Sequence, residues 1–329
     1  MRTLPLIPLE AYYKTVVWGG ERIAAFKGEP SRGPSVGESW EISDLSGCEA
    51  RAAAGAGELA GKTLSEIMSV HAGEILGPRL FRIYGTRFPL LVKLIDACAD
   101  LSIQVHPDDW LAASRHNSPG KTELWYTLST LPGSYIYSGL QSTTTPEKLR
   151  QHISDGTVVD LLAKFYPRHG DFFYIPAGRI HSAGAGTLLL EVQQPSDITY
   201  RIYDYKRLDL NGNPRELHTE LALDAIDFRL HEDYMRHFEP VVNREIVLKE
   251  CPYFTVTVIN ILNSFTLPVS RYNSFRVLVA TRGSGTVSDD EGTVLPFRQG
   301  HTILVPASVR RVYISPEAGE LEVLTAYIQ

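Results

Sequence analysis

Cysteine is scarce in this chain of 329 residues: only Cys48, Cys98 and Cys251 occur, far apart and never as CxxC. That scarcity excludes a disulfide framework and a thiolate zinc site, and it fits a reducing compartment. An excess of positive charge is also missing. The formal net charge is −6, which argues against nucleic acid as the main partner. A phosphorylated small molecule stays compatible, because a local Arg/Lys pocket needs no global positive charge. No apolar run is long enough to cross a bilayer. The start, Met1-Arg2-Thr3-Leu4-Pro5-Leu6-Ile7-Pro8, is broken by prolines where a signal peptide would have its apolar core. No segment is low in complexity, and no local metal signature such as HExxH occurs. The expectation is a soluble cytoplasmic protein with no membrane and no nucleic-acid partner; nothing in the sequence speaks to its oligomeric state.

What is present is a 43% hydrophobic content, ample for real cores, in a chain long enough for two or three modules. Short apolar stretches read as strands: Pro89 to Ile95, Leu101 to Val105, Glu123 to Leu128, Ser134 to Tyr137, Asp171 to Ile175 and Thr187 to Gln193. Gly, Pro and Asn punctuate them closely, as in a sandwich or barrel. Glu58 to Leu80 and Pro146 to Lys164 instead carry apolar residues at helical spacing, and a further helix is expected over Glu220 to Asp227. One repeat organises the rest. Gly170-Asp-Phe-Phe-Tyr-Ile-Pro-Ala177 recurs as Gly300-His-Thr-Ile-Leu-Val-Pro-Ala307, a glycine turn, an apolar strand and a Pro-Ala turn that resemble the second signature of cupins. The fold class expected is therefore mainly β, two cupin-type jelly-roll modules with short helical insertions. Residues 1–235 would form the catalytic module, with insertions at about 50–82 and 146–166, and 236–329 a second jelly roll without a metal site. At the same offset His181 falls on Arg311, and the strand Ser274 to Val279 has no carboxylate placed like Glu123.

Four residues carry metal-ligand chemistry. Gln104 and His106 lie two apart on one strand and point to the same face, Glu123 opens the next strand, and His181 follows the tight Pro176-Ala177-Gly178 turn. Two neutral imidazoles with a carboxylate and an amide oxygen suit Zn2+ and tolerate Mn2+, Fe2+, Co2+ or Ni2+, with positions left for water or substrate. Each residue alone has a plainer reading. A strand histidine is more often a hydrogen-bonded core or surface residue, Glu123 a solvated strand end, and Gln104 an interior amide.

The settings of these residues resemble the type I mannose-6-phosphate isomerases, close to the shorter bacterial form. The likeness runs through Trp18-Gly19-Gly20, Gly37-Glu-Ser-Trp-Glu-Ile-Ser43, Leu91-Val-Lys-Leu-Ile-Asp-Ala97 and Leu101-Ser-Ile-Gln-Val-His-Pro-Asp108. It continues in Gly120-Lys-Thr-Glu-Leu-Trp-Tyr126, Tyr174-Ile-Pro-Ala-Gly-Arg-Ile-His181 and Tyr200-Arg-Ile-Tyr-Asp204. The resemblance implies one Zn2+ per chain on Gln104, His106, Glu123 and His181. It implies that Arg201 is an active-site arginine and Glu191 a carboxylate near the reacting carbons, with Lys121 and Ser102 in the sugar-phosphate pocket. Lys93 lies in a matching motif, as a further substrate-binding residue.

The reaction so implied interconverts mannose 6-phosphate and fructose 6-phosphate through a cis-enediol. Deprotonating a carbon beside a carbonyl needs stabilisation of the developing oxyanion by a metal and a cation such as Arg201, and a proton carrier on one face. Glu191, a metal-activated water and Lys121 are the candidates for that carrier. Lys93, amid apolar neighbours, needs a partner if it points inward: Asp96 or a ligand phosphate. Two competing readings are another metal-dependent cupin enzyme, such as an iron dioxygenase, and a sugar-binding cupin without catalysis.

Overall fold

The computed structural model describes residues 4–270 and 273–329. Its strands form four sheets, and every pairing between strands of these sheets is antiparallel. One six-stranded sheet runs in the order Phe172–Ile175, Glu123–Thr130, Thr187–Gln193, Leu91–Ala97, Val36–Ile42, Tyr12–Gly20. A five-stranded sheet faces it in the order Tyr200–Tyr203, Ile103–Val105, His181–Ala183, Ile136–Leu140, Leu162–Phe165. Trp18, Ile95, Trp125, Phe173 and Leu189 from the first sheet pack against Ile136 and Ala183 from the second, so the two close into a sandwich.

A second sandwich pairs a seven-stranded sheet with the four-stranded sheet Phe265–Pro268, Arg311–Pro316, Ser284–Asp289, Val294–Arg298. Its seven-stranded sheet gathers the strands between Glu245 and Tyr327 and also Ile7–Glu10 and Arg51–Ala52 from the start of the chain; Ile7 lies opposite Leu304. The two large sheets meet back to back, Val92, Leu94 and Leu190 of one packing into the same core as Val277, Val279 and Leu324 of the other. Alternation makes this possible: even-numbered residues of Leu91–Ala97 face this joint core, odd-numbered ones the sandwich interior.

The helical insertions cover outer faces. Thr63 and Glu66 form a capping box at the start of the helix Leu64–Tyr84, whose Ile67, Met68, Ile75 and Leu76 enter the joint core. Gly77, at φ 79°, and Pro78 kink it. The stretch read as helical from Pro146 to Lys164 is only partly so. The helix Pro146–Asp155 ends at Gly156 in the left-handed conformation, a short turn Val158–Leu161 follows, and Leu162–Phe165 is an edge strand. Leu149, Val158 and Leu161 bury either way, which is why spacing alone did not separate the two forms. The helix Thr219–Ala225 lies on the outer face of the five-stranded sheet.

The repeat places equivalent strands equivalently: Ile175 is opposite Glu123, and Val305 is opposite Arg276. Past the Pro-Ala turn the offset of 130 still holds: His181 and Arg311 each open the next strand. The side chains differ in surroundings, since His181 is buried whereas Arg311 is exposed and the following Val312 is buried in the second core. Arg276 occupies in the second sandwich the place of Glu123 in the first.

Candidate active site and metal centre

His106, Glu123 and His181 converge inside the first sandwich, all three buried, with one ligand atom from each lying within 4.8 Å of the others. Strand register brings them there. Gln104 sits directly across from His181, and Ile175, just before the turn that leads to His181, sits across from Glu123. The turn is tied down by the Gly178 N–H donating to the His106 carbonyl at 2.9 Å and the Ala177 N–H donating to Thr122 Oγ1 at 3.2 Å. Gly178 has φ 89°, and a Cβ there would stand 2.9 Å from the Ala225 carbonyl oxygen, so glycine is required.

Both imidazoles are oriented as ligands. Nδ1 of His106 bonds the Ile198 carbonyl at 2.9 Å and Nδ1 of His181 the Arg179 carbonyl at 2.8 Å. A carbonyl can only accept, so both Nδ1 atoms carry the proton and both Nε2 lone pairs face inward. Burial and the charge of Lys121 push the His106 imidazole down to about 3, which keeps it neutral. Burial opposes the charge on Glu123, yet Lys121, at 3.1 Å, holds it well below the ordinary carboxylate range, with His106 assisting. His106 Nε2 and both Glu123 oxygens are buried without a hydrogen-bond partner. Such atoms are costly unless something else satisfies them, and two imidazole nitrogens with a carboxylate are a donor set for a divalent metal. Gln104 borders this set with its amide nitrogen 3.3 Å from His181 Nε2, while its oxygen accepts from Ser102 Oγ at 3.4 Å.

The metal cluster adjoins a cleft of about 270 Å³ whose walls include Lys93, Ser102, Gln104, Lys121, Glu191 and Arg201. All the site residues expected from the sequence are therefore in one place. Glu191 is buried; Trp125 Nε1 donates to its Oε1 at 2.7 Å, and Lys93 Nζ stands 3.4 Å from its Oε2. Burial and the neighbouring Glu123 charge raise its proton affinity, opposed by Lys121 and Lys93. Lys93 is also 3.7 Å from Glu38 and 3.8 Å from Asp197, and it lies 4.6 Å above the Trp40 ring. Burial works against its charge, but these carboxylates, Glu38 foremost, raise its pKa, so it stays an ammonium.

Asp96, one of the two partners expected for Lys93, is elsewhere: it accepts from the Arg22 backbone N–H at 2.7 Å. Three residues apart on a strand, Lys93 and Asp96 point to opposite faces. Arg201 is half-buried, its Nη1 donating to the Glu216 carbonyl at 2.9 Å. Burial and the adjacent Arg215 lower its pKa, but a guanidinium remains charged.

Lys14, Glu38, Trp125, Asp197 and Arg215 also face the cleft, and of these Lys14, Asp197 and Arg215 had no signal in the sequence. Lys14 Nζ bonds Asp197 at 3.1 Å across 183 positions of sequence, and Arg215 returns to the site from a loop. Glu38 and Trp125 lie within the motifs that carried the resemblance, where their inward direction follows from strand alternation with Lys93 and Glu123.

Comparison with known proteins identifies relatives of the chain. The family model for the catalytic domain of type I phosphomannose isomerase matches residues 6–124. The chain is 36% identical over 309 residues to the mannose-6-phosphate isomerase ManA of Bacillus subtilis, covering 93% of this chain and 94% of that protein. It is 31% identical over 320 residues to the mannose-6-phosphate isomerase of Streptococcus mutans, covering 97% of each. The crystal structure of the mannose 6-phosphate isomerase from Bacillus subtilis matches with a TM-score of 0.83 at 31% identity, over 98% of this chain and 100% of that one. The apo mannose 6-phosphate isomerase of Salmonella typhimurium, at 15% identity and a TM-score of 0.78, shares the fold.

Proposed function

The chain belongs to the type I phosphomannose isomerase family and is an aldose–ketose isomerase; we propose that it interconverts mannose 6-phosphate and fructose 6-phosphate with one Zn2+ held by His106, Glu123 and His181. The observation that carries the reading is the convergence of His106, Glu123 and His181, all buried, beside a cleft lined by lysines, arginines and carboxylates. Zinc is the choice because two neutral imidazoles and a carboxylate leave room for substrate, as in catalytic zinc sites. Gln104 becomes a fourth ligand if its amide turns over, which exchanges nitrogen for oxygen at nearly the same position. When bound, the ion supplies Lewis-acid stabilisation of charge developing on the sugar oxygens.

The chain's own residues do the rest. Glu191 Oε2, buried without a hydrogen-bond partner, takes the proton from carbon 2 of the open-chain aldose. The C–H electron pair forms the carbon 1–carbon 2 double bond as the carbonyl π pair moves onto O1, which takes a proton from solvent to give the enediol. Glu191 then returns its proton to carbon 1, where the double-bond pair forms the new C–H bond, as the O2 hydroxyl gives its proton to solvent and becomes the ketone carbonyl. Lys121 and Arg201 face the cleft as cations that offset oxyanion charge. Arg201 and Arg215, neighbouring guanidiniums, suit the phosphate, and Ser102 offers a hydroxyl to the sugar. Lys93, enclosed by carboxylates, lines the pocket and, with Lys121, opposes the rise in proton affinity that burial imposes on Glu191.

The three cysteines are unpaired, which supports a reducing, cytoplasmic setting. Among the described residues no helix is long and apolar enough to cross a membrane. A dioxygenase reading is not favoured, since this cleft is built for an anionic polyol. Chelation tests the proposal: EDTA should abolish conversion of mannose 6-phosphate and added Zn2+ should restore it, whereas unaffected turnover would overturn the metal assignment.

A further inference from the structure

We propose that Trp125 is a positioning residue for the proton transfer: its indole N–H holds the Glu191 carboxylate so that Oε2 alone faces the substrate. The inference rests on the reading of Glu191 as the proton carrier. Trp125 lies directly across from Glu191 in the adjacent strand, and both side chains point into the sandwich. The ring is fully buried, and its N–H occupies Oε1 at 2.7 Å. Oε2 is buried without a hydrogen-bond partner, with the Lys93 ammonium at 3.4 Å. The two oxygens of one carboxylate therefore have different surroundings, and the indole creates the difference.

Without that N–H the carboxylate has a better place to go. Lys121 Nζ stands 4.0 Å from Oε1, and a small rotation of the carboxylate would close that gap to an ion-pair distance. Oε2 would turn with it, away from the position that reaches a carbon-bound proton. Proton transfer depends on hydrogen-bond reach, and a displacement of about 1 Å costs up to roughly 100-fold in rate. The same indole meets the His181 imidazole edge-on, with ring centroids 5.0 Å apart. One rigid ring thus spaces the proton carrier from a metal-ligating imidazole. Trp40 does the same for the second carboxylate beside Lys93, its Nε1 donating to Glu38 Oε2 at 2.6 Å. Of the three acids next to that ammonium, Glu191 and Glu38 are held by indoles, whose donors cannot also accept.

The test uses the zinc-loaded full-length enzyme in two forms, Trp125→Phe and a protein with 3-benzothienylalanine at position 125. The second keeps the indole's shape and removes only the N–H. We expect kcat for mannose 6-phosphate to fall roughly 10- to 100-fold in both, the worth of a hydrogen bond to a charged group. KM should stay within about twofold, because substrate binding is not the step affected. Bound zinc should be unchanged, and the primary isotope effect with substrate deuterated at carbon 2 should rise as proton transfer becomes limiting. A benzothienyl enzyme with wild-type kcat and isotope effect overturns the proposal, even if Trp125→Phe loses zinc or stability through packing. Full turnover by Glu191→Gln would overturn the proton-carrier reading itself, whatever the Trp125 variants do, so the two failures are distinct.

Discussion

Replacing Lys93 by methionine removes an ammonium shared by Glu38, Glu191 and Asp197 at 3.7, 3.4 and 3.8 Å while keeping the length of its stem. At 3.4 Å and an effective dielectric of about 20, opposite unit charges interact by about 5 kcal/mol. That is a ceiling on what the ammonium contributes to holding Glu191 ionised, because Lys121 remains 4.0 Å from the other oxygen. The sign is set by the role of Lys93, which opposes the rise that burial imposes on Glu191. Without Lys93 the carboxylate protonates at higher pH, and its ionised form is the one that accepts the carbon 2 proton.

The acid limb of the kcat–pH profile should therefore move to higher pH, measured as fructose 6-phosphate formation with the same metal loaded in both proteins. An acid limb that stays within about 0.3 unit of wild type would refute the assignment of Glu191 as the ionised base. Urea unfolding should also show a loss of about 3–5 kcal/mol at neutral pH, the cost of removing one partner from a buried ion cluster. Burial already raises the proton affinity of Glu191 and loss of the ammonium raises it further, so this deficit should shrink as pH falls through its titration.

Four further outcomes follow from the same geometry. His106→Ala and His181→Ala should each lose bound metal and activity together, read by elemental analysis and turnover on one sample; retention of metal would remove that histidine from the ligand set. Gln104→Ala should weaken metal binding by only about tenfold, while a loss equal to that of the histidine variants would make the amide a full ligand. Arg201→Ala should lower kcat/KM by about 100-fold or more, and normal turnover would end its catalytic role. Arg276→Met in the second sandwich removes the cation that donates to Glu245 and Thr325 at 2.6 and 2.8 Å. It should cost about 2–4 kcal/mol in urea unfolding with kcat unchanged; a changed kcat would show that the second sandwich bears on the chemistry.

The two sandwiches show how one strand plan serves two ends. In the first, Gln104, Glu123 and His181 meet at a polar centre. In the second, apolar side chains such as Leu267 and Val312 fill the core, and Arg276 replaces the carboxylate with a cation that pairs with Glu245 and lies over the Tyr327 ring. Among the described residues no group of metal ligands forms there, and a buried guanidinium would repel a divalent ion.

Much of the site was legible before folding because its signals are local. Gln104 and His106 are two apart, so their common face follows from the pleat alone; Pro176-Ala177-Gly178 announces the turn that presents His181. The strand Thr187–Gln193 has the bounds read for it from the sequence. The misreadings have equally local causes. A three-residue spacing was asked to place Asp96 beside Lys93, although on a strand it places them on opposite faces. Helical spacing in Val158 to Leu161 did not distinguish a short turn leading into an edge strand from a continued helix.

By itself the sequence determined the residue types, the faces on which they stand and the turns that stop each strand, because these depend on neighbours a few positions away. Tertiary structure alone decided which of those groups became chemistry. Pairing His181 with Gln104, and Glu123 with Ile175, is what turns two ordinary histidines and a strand-end acid into one ligand set. The backbone carbonyls of Ile198 and Arg179 decide which imidazole nitrogens are free. Contacts such as Lys14 with Asp197, and Trp125 with Glu191, leave no trace in local pattern. They arise from sheet register, which is set by the whole buried core rather than by any segment of the chain.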